Sequence, residues 1–291
     1  MLDQAEQLRK LARADKQLKV DSICNVKPRI IAVSSGKGGV GKSNFVVNVS
    51  IALQKMNKKV LIFDGDIGMG NDDVLMGFLP KYNVYDVILG DKSIEEVIIK
   101  GPFGVKLLPG GTGVLRMEGI TKVQRDDFIE KLSSLNDVEY IILDTGAGMN
   151  RDVLAFITCS EEFITITTPE PTSLTDAYSL LKAVNHFKLK GKSKIIINRV
   201  VDDREGEKTF NRFNSVVNKF LNIELEYLGY ISDDKNLTQA VRKQIPLLIS
   251  YPNSQASKDI NFIASKLSGI KNFESKANIQ SLFKKIFNIF S

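Results

Sequence analysis

With 291 residues, 43% of them hydrophobic and 25% charged, the chain can bury a full core and falls within the range of one large α/β domain. Its net charge of +6 suits anionic partners, whether nucleic acid, acidic lipid or an acidic protein face, and charge alone does not choose among them. Two cysteines far apart in sequence and a single histidine, His186, argue against a disulfide framework, a C-x-x-C metal pair and His-based metal or triad chemistry. No apolar run reaches the ~18 residues of a membrane-spanning helix, and the charged N-terminus does not read as a secretory signal, so the cytosol is expected.

Residues 1–27 precede the first strand. Leu2, Ala5, Leu8, Leu11 and Ala12 recur at helical intervals among charges, which predicts a weakly amphipathic arm. The organising stretch follows, Arg29 to Ser43, RIIAVSSGKGGVGKS, a β-branched run that ends in glycines and gives way to a helical pattern over Asn44 to Lys55. Gly36, Gly41, Lys42 and Ser43 fit G-x-x-x-x-G-K-[ST], in which glycine lets backbone N–H groups close around phosphate oxygens at a helix N-terminus. The loop positions from Gly36 through Lys37, Gly38, Gly39, Val40 and Gly41 to Lys42, Ser43 and Asn44 are therefore candidate nucleotide contacts. Lys42 would reach the β/γ-phosphates and Ser43 would hold Mg2+. Lys37 is a second lysine in the same loop.

Val60 to Phe63 reads as a buried strand, ending in Asp64-Gly-Asp66-Ile-Gly-Met-Gly-Asn71. Ligands lie beyond the carboxyl ends of strands in open parallel sheets, which places these carboxylates beside the nucleotide. A further strand lies within Gly101 to Gly113 and a helix over Asp126 to Leu135. Tyr140 to Leu143 then runs into Asp144-Thr-Gly-Ala-Gly148, an apolar strand ending in an aspartate that would orient Mg2+ and its water. Strands at Phe163 to Thr167, Lys194 to Ile197 and Tyr227 to Ile231 alternate with helices near Leu174 to Phe187, Thr209 to Phe220 and Asn236 to Lys243. This alternation predicts an α/β fold, a mostly parallel sheet flanked by helices on both faces, in a single domain over 28–270. His186 reads as a surface helix residue, and the run Lys188, Lys190, Lys192, Lys194 as a solvated turn.

A polar linker, 271–278, leads to a terminal helix, 279–291. At ~100° per residue, Ile279, Leu282, Phe283, Ile286, Phe287, Ile289 and Phe290 fill an arc of about 160°, opposite Gln280, Ser281, Lys284, Lys285 and Asn288. The helix could dock on its own domain, or lie in a bilayer interface with Lys284 and Lys285 near acidic headgroups and the phenylalanines among acyl chains. The second reading is preferred, with Leu282, Phe283, Ile286, Phe287 and Phe290 as the membrane face.

GKGGVGKS, DGDIGMGN and DTGAG, in this order and context, resemble the deviant phosphate-loop ATPases of the MinD/ParA class, and the similarity runs from about Pro28 to the C-terminus. The resemblance implies ATP and Mg2+ as cofactors and ATP hydrolysis to ADP and phosphate. It implies that Lys37 is the signature lysine that crosses a homodimer interface to the partner's ATP and that Asp66 positions the attacking water. Asp64 and Asp144 would lie in the magnesium shell with Ser43, Asn71 and Gly148 would belong with Asp66 to the switch segments, and Asn198 would read adenine. Within the class, Asp3-Gln4-Ala5-Glu6-Gln7-Leu8-Arg9 is similar to the D-Q-A-x-x-L-R motif of the flagellar number and placement group (FlhG, FleN or YlxH). That similarity implies an arm in which Asp3, Gln4, Ala5, Leu8 and Arg9 activate the signal-recognition-type GTPase FlhF, contacts with flagellar switch-complex proteins, and a protein that is reversibly peripheral on the inner face of the cell membrane.

Two alternatives stay open. A division-site MinD shares the ATPase and the lipid helix but normally begins almost at the first strand. A ParA-type partition ATPase would use the lysine run on DNA phosphates, yet no aromatic or base-reading element accompanies it, and specific nucleic-acid binding is not expected.

Overall fold

The computed structural model describes residues 28–66, 72–111, 120–135, 137–269 and 278–290. The N-terminal arm with Asp3, Gln4, Ala5, Leu8 and Arg9, the switch position Asn71 and all of the linker except Asn278 lie outside the described residues.

β1 (Arg29–Ser35) is buried along its whole length and empties into the glycine loop, from which α1 (Lys42–Lys55) rises. β2 (Val60–Gly65) carries the first acidic end. Three short helices follow, α2 (Asp72–Leu75), α3 (Val84–Ile88) and α4 (Ile94–Val97), then β3 (Ile99–Lys100) and β4 (Lys106–Pro109). α5 (Lys122–Lys131) continues into a 3-10 turn over Leu132–Leu135, and β5 (Tyr140–Ala147) carries the second acidic end. The order then runs α6 (Arg151–Cys159), β6 (Glu162–Thr167), α7 (Pro171–His186), β7 (Lys192–Val200), α8 (Asp203–Phe220) and β8 (Glu224–Ser232). α9 (Lys235–Lys243), α10 (Leu247–Ser250), α11 (Gln255–Ser268) and α12 (Ile279–Phe290) complete it.

The sheet has eight strands in the order β3-β4-β2-β5-β1-β6-β7-β8, all pairs parallel except β3 with β4. Buried on both faces, its central strands read as near-continuous β-branched runs, as parallel strands do. One apolar core lies under α5, α6, α7, α8 and α12, and the other under α1, α10 and α11. The predicted mostly parallel sheet with helices on both faces is therefore as observed.

Two local readings differ. The lysine run is a turn only at its start: Lys192 and Lys194 belong to β7, where Lys192 pairs with Glu224 at 3.1 Å and Lys194, buried, pairs with Glu162. β7 brings these side chains beside acidic neighbours, so they are not an open row of phosphate contacts. His186, by contrast, is exposed at the end of α7 as expected.

The terminal helix lies on its own domain. α12 packs against α5, the 3-10 turn and α6, and Ile279, Leu282, Phe283, Ile286, Phe287 and Ile289 are all buried, while Lys284 is exposed and Lys285 half-buried. Phe283 meets Phe63 and Phe128 edge to face at 5.3 and 5.0 Å, and Phe287 meets Phe128 at 5.7 Å. Asn278 caps the helix start through Ser281 N–H, and Arg151 donates to the Ile289 carbonyl near its end. The preferred lipid face is thus occupied by protein in this state, because the same arc of side chains matches an apolar groove of the domain.

Candidate functional site

The site forms where β1, β2 and β5 end side by side. β2 and β5 pair with Asp64 directly opposite Asp144, and Val33 of β1 is registered with Asp144 from the other side. Two carboxylates distant in sequence are therefore neighbours beneath the glycine loop.

The loop needs its glycines for identifiable reasons. Gly41 sits at φ 94° immediately before α1, a left-handed conformation that disfavours side chains, and a Cβ there would stand 2.3 Å from the Asn198 amide nitrogen. At Gly36 a Cβ would fall 2.1 Å from the Asp176 backbone, so α7 packs directly on the loop. Val40 is buried, whereas Gly38 and Gly39 are exposed. Ser43 and Asn44 are half-buried in the first turn of α1, whose N–H groups are available to an anion.

The two loop lysines face different ways. Lys42 is buried, 7% exposed, and its ammonium lies 2.5 Å from Asp144 Oδ1. Burial works against its charge, but Asp144 outweighs it and the Lys42 pKa is raised. Lys37 reaches out to Glu170 at 2.8 Å and Thr172 at 3.1 Å, on the exposed rim at the head of α7. The hydrogen bond from Lys37 holds the Glu170 carboxyl below its usual value.

Asp64 accepts from the Asp66 N–H at 3.1 Å. Burial, then the neighbouring Asp144, push its carboxyl up to about 7. Asp66 is half-buried, raised chiefly by burial, and its carboxylate lies against Gly146 of the DTGAG segment. Gly148, at φ 90°, returns its N–H to the Ser35 carbonyl at 2.8 Å and so ties that segment to the base of the glycine loop.

Asn198 is buried at the end of β7; its amide donates to the Val40 carbonyl and accepts from the Arg199 N–H. It braces the glycine loop from below. Arg199, at φ 57° in a strand irregularity, donates to the Gly39 carbonyl at 2.8 Å.

Three site residues were not visible in the sequence. Glu170 and Arg199 reach the loop from strand ends more than 130 residues away, and a Pro-Glu-Pro turn or an Asn-Arg pair carries no motif for that. The third is Asp72, at the start of α2, completely buried. Its carboxyl is raised well above its usual value, by burial first and then by Asp144 and Asp64.

The donors suit a hard divalent cation. Ser43 and the aspartates offer only oxygen, and both buried Asp72 oxygens lack a protein partner. Among the described residues no group of three or more His, Cys, Asp or Glu is placed to hold a metal ion by itself.

A parallel sheet whose first strand opens into this loop, with strand-end aspartates beside the loop lysine, defines a phosphate-loop nucleoside triphosphatase. The AAA domain family matches residues 28–197. The chain is 34% identical over 240 residues to the antiactivator FleN of Pseudomonas aeruginosa, covering 82% of this chain and 86% of FleN. To the flagellum site-determining protein YlxH of Helicobacter pylori it is 33% identical over 287 residues, 92% of this chain and 96% of YlxH. The solved structure of the septum site-determining protein MinD of Pyrococcus horikoshii, complexed with Mg-ADP, matches with a TM-score of 0.66 at 26% identity, over 86% of this chain and 100% of that one. The chain belongs to the MinD/ParA class of ATPases, in the group that includes FleN and YlxH. No helix among the described residues is long and apolar enough to cross a membrane.

Proposed function

We propose that this ATPase is a nucleotide-operated switch controlling flagellar number and placement, monomeric without ATP and a membrane-bound dimer with it. The observation that carries the reading is the divergence of the loop's two lysines: Lys42 is buried inward against Asp144, while Lys37 stands on the exposed rim, held only by exposed partners. A lysine so placed can leave Glu170 for a phosphate presented by a second copy, acting as an arginine finger does.

The residues divide as follows. Backbone N–H groups from Gly36 to Asn44 cradle the phosphates, Lys42 contacts the β/γ-oxygens, and Asn198 serves the adenine end. Ser43, Asp64 and Asp144 would hold Mg2+, which would supply positive charge against the charge developing on the transferred phosphate. Asp66 orients the attacking water over the Gly146 to Gly148 segment, and Asn71 moves with it. Hydrolysis ends the dimer, since nucleotide bound between two copies stabilises only the pair.

The names of the relatives FleN and YlxH support the flagellar assignment, with FlhF and switch-complex proteins as partners and the N-terminal arm, through Asp3, Gln4, Ala5, Leu8 and Arg9, as the FlhF activator. Lys192 and Lys194 pair with glutamates, which engages two of the four lysines that the partition-ATPase reading would turn to phosphates. Co-sedimentation with anionic vesicles, in ATP and in ADP, tests the switch. ATP-dependent pelleting that is lost in a chain ending at Asn278 is expected; equal behaviour in both nucleotides refutes it. A peptide of residues 1–20 should accelerate FlhF GTP turnover, and no acceleration refutes the flagellar arm.

A further inference from the structure

One stretch of surface is basic and apolar at once. α1, α9, α10 and the turn from β3 to β4 carry no aspartate or glutamate, and α11 carries only Asp259. That carboxylate is buried and accepts from Ser232 and Gln255, so it does not face solvent.

These elements meet at the end of α1 away from the glycine loop. The Lys55 ammonium lies 4.5 Å over the Phe103 ring and donates to the Leu248 carbonyl of α10 at 3.2 Å. Ile249, the next residue, and Ile245, four before it, are 36% and 42% exposed. Lys243 stands beside them and donates to the Tyr251 hydroxyl at 3.1 Å. Among the described residues neither lysine meets a carboxylate. The display of Phe103 is itself costly. It has φ 57° and ψ 11°, a left-handed conformation that a bulky side chain rarely adopts, and Gly104 follows at φ 90°. Glycine would take this conformation without strain, so the backbone gains nothing from a phenylalanine here, and burial returns little, since Phe103 stays 57% exposed.

We propose that this face is a second membrane contact, in which Phe103, Ile245 and Ile249 enter the headgroup boundary of an anionic leaflet and Lys55 and Lys243 meet its headgroups. It rests on the membrane-switch reading, and adds a surface of the domain to the terminal helix. Charge selects the partner. A leaflet offers a negative surface over an apolar layer, the two things that lysines without carboxylates and exposed apolar side chains match. Nucleic acid would meet the lysines but leave Ile245 and Ile249 without an apolar partner. Position agrees. α11 ends against α1, where the Ser268 hydroxyl lies 3.7 Å from the Met56 sulfur, and α12 begins at Ile279, ten residues after Gly269. Ten residues reach at most about 35 Å, so an undocked α12 enters a bilayer within that distance of the end of α11.

The chain has no tryptophan, so Phe103→Trp places a single fluorophore in the turn. The full-length variant is mixed in ATP with vesicles of phosphatidylcholine and phosphatidylglycerol that carry a doxyl label at a shallow acyl carbon. Blue-shifted, quenched emission is expected, and neither change in ADP or with phosphatidylcholine alone. Lys55→Gln with Lys243→Gln should weaken vesicle binding in ATP by roughly fivefold per lysine, a difference that added salt erases. Phe103→Gly with Ile249→Ser should weaken it by about tenfold at any salt. Both pairs should leave ATP turnover without vesicles unchanged. Pelleting of the wild type in ATP without quenching of the Phe103→Trp reporter, or with unchanged affinity in both double variants, overturns this contact and leaves the α12 switch standing. No ATP-dependent pelleting of the wild type overturns both. Binding of duplex DNA that is lost with Lys55 and Lys243, while vesicle affinity does not move, assigns the face to nucleic acid and also overturns the proposal.

Discussion

Phe128→Ala perturbs the docked terminal helix without touching the helix's own apolar face. Phe128 is fully buried in α5 and meets two rings of α12, Phe283 at 5.0 Å and 74° and Phe287 at 5.7 Å and 86°. Each such edge-to-face pair contributes about 0.5–1.5 kcal/mol beyond area burial, so the two together hold the helix by about 1–3 kcal/mol. Removing them should shift the docked-to-free ratio by roughly 5- to 150-fold. The whole substitution costs about 3–5 kcal/mol because it also leaves a cavity under α5, and Tm will fall accordingly. The assay is pelleting with anionic vesicles in ADP, below the lowered Tm, beside amide exchange of residues 279–290. Faster exchange in the helix and nucleotide-independent pelleting are expected, with pelleting abolished in the same variant truncated after Asn278. A variant whose helix exchanges freely while the protein stays in the supernatant would refute the idea that docking is what withholds the membrane face.

Three further outcomes follow from the site. Lys37→Ala should lose ATP-dependent dimerisation and lower turnover by about 10³-fold or more, with Tm unchanged because Lys37 is tied only to exposed groups; a scattering mass showing an ATP dimer would reject the cross-dimer role. Asp66→Ala should remain dimeric in ATP while hydrolysing about 10²-fold more slowly, and normal turnover would reject water positioning. Asp64 is held up to about 7 against an ordinary 3.8, so the folded chain keeps a proton that the unfolded chain has lost between those values. Stability in EDTA should therefore fall as pH rises from about 4 to about 7, by an amount on the order of 4 kcal/mol at most. Melts at about pH 5 and about pH 8 should differ less in Asp64→Asn than in wild type, and an equal drop in both would remove Asp64 as the cause.

The sequence was most legible where the chemistry is local. The glycine loop, Lys42, and the aspartates closing two β-branched strands are each set by neighbours within a few residues, and the structure brings them together through the pairing of Asp64 with Asp144. α6 was missed because Val153 to Cys159 are buried without interruption, which leaves no polar stripe for a helical period to reveal. α2, α3 and α4, of four or five residues each, are too short to show a period at all. Lys194 falls both at the start of the strand read over Lys194 to Ile197 and at the end of the lysine run read as a solvated turn, and its charge hides that it points inward. In the fold it is an inward strand position, neutralised by Glu162, which also binds the buried Arg29. Asp72 was invisible for the opposite reason: an aspartate in an acidic loop looks solvated until the sheet closes over it.

The two readings of α12, docked helix and membrane helix, are consequences of one pattern. An arc of six apolar side chains is buried on the domain, and in the proposed switch the groove and the bilayer would compete for that same face. The body can influence that competition because its groove is built on switch elements. Phe63, which packs on Phe283, immediately precedes Asp64, and Arg151, which holds the Ile289 carbonyl, follows Gly148 by three residues. A ligand shifts such an equilibrium only by its differential affinity for the two states, so the proposed switch requires ATP to bind the undocked form more tightly than the docked one. Phe63 at the end of β2 makes one of the aromatic pairs that hold the helix, about 0.5–1.5 kcal/mol, so in the proposed switch loosening that contact would by itself move the helix between protein and lipid by roughly 2- to 12-fold.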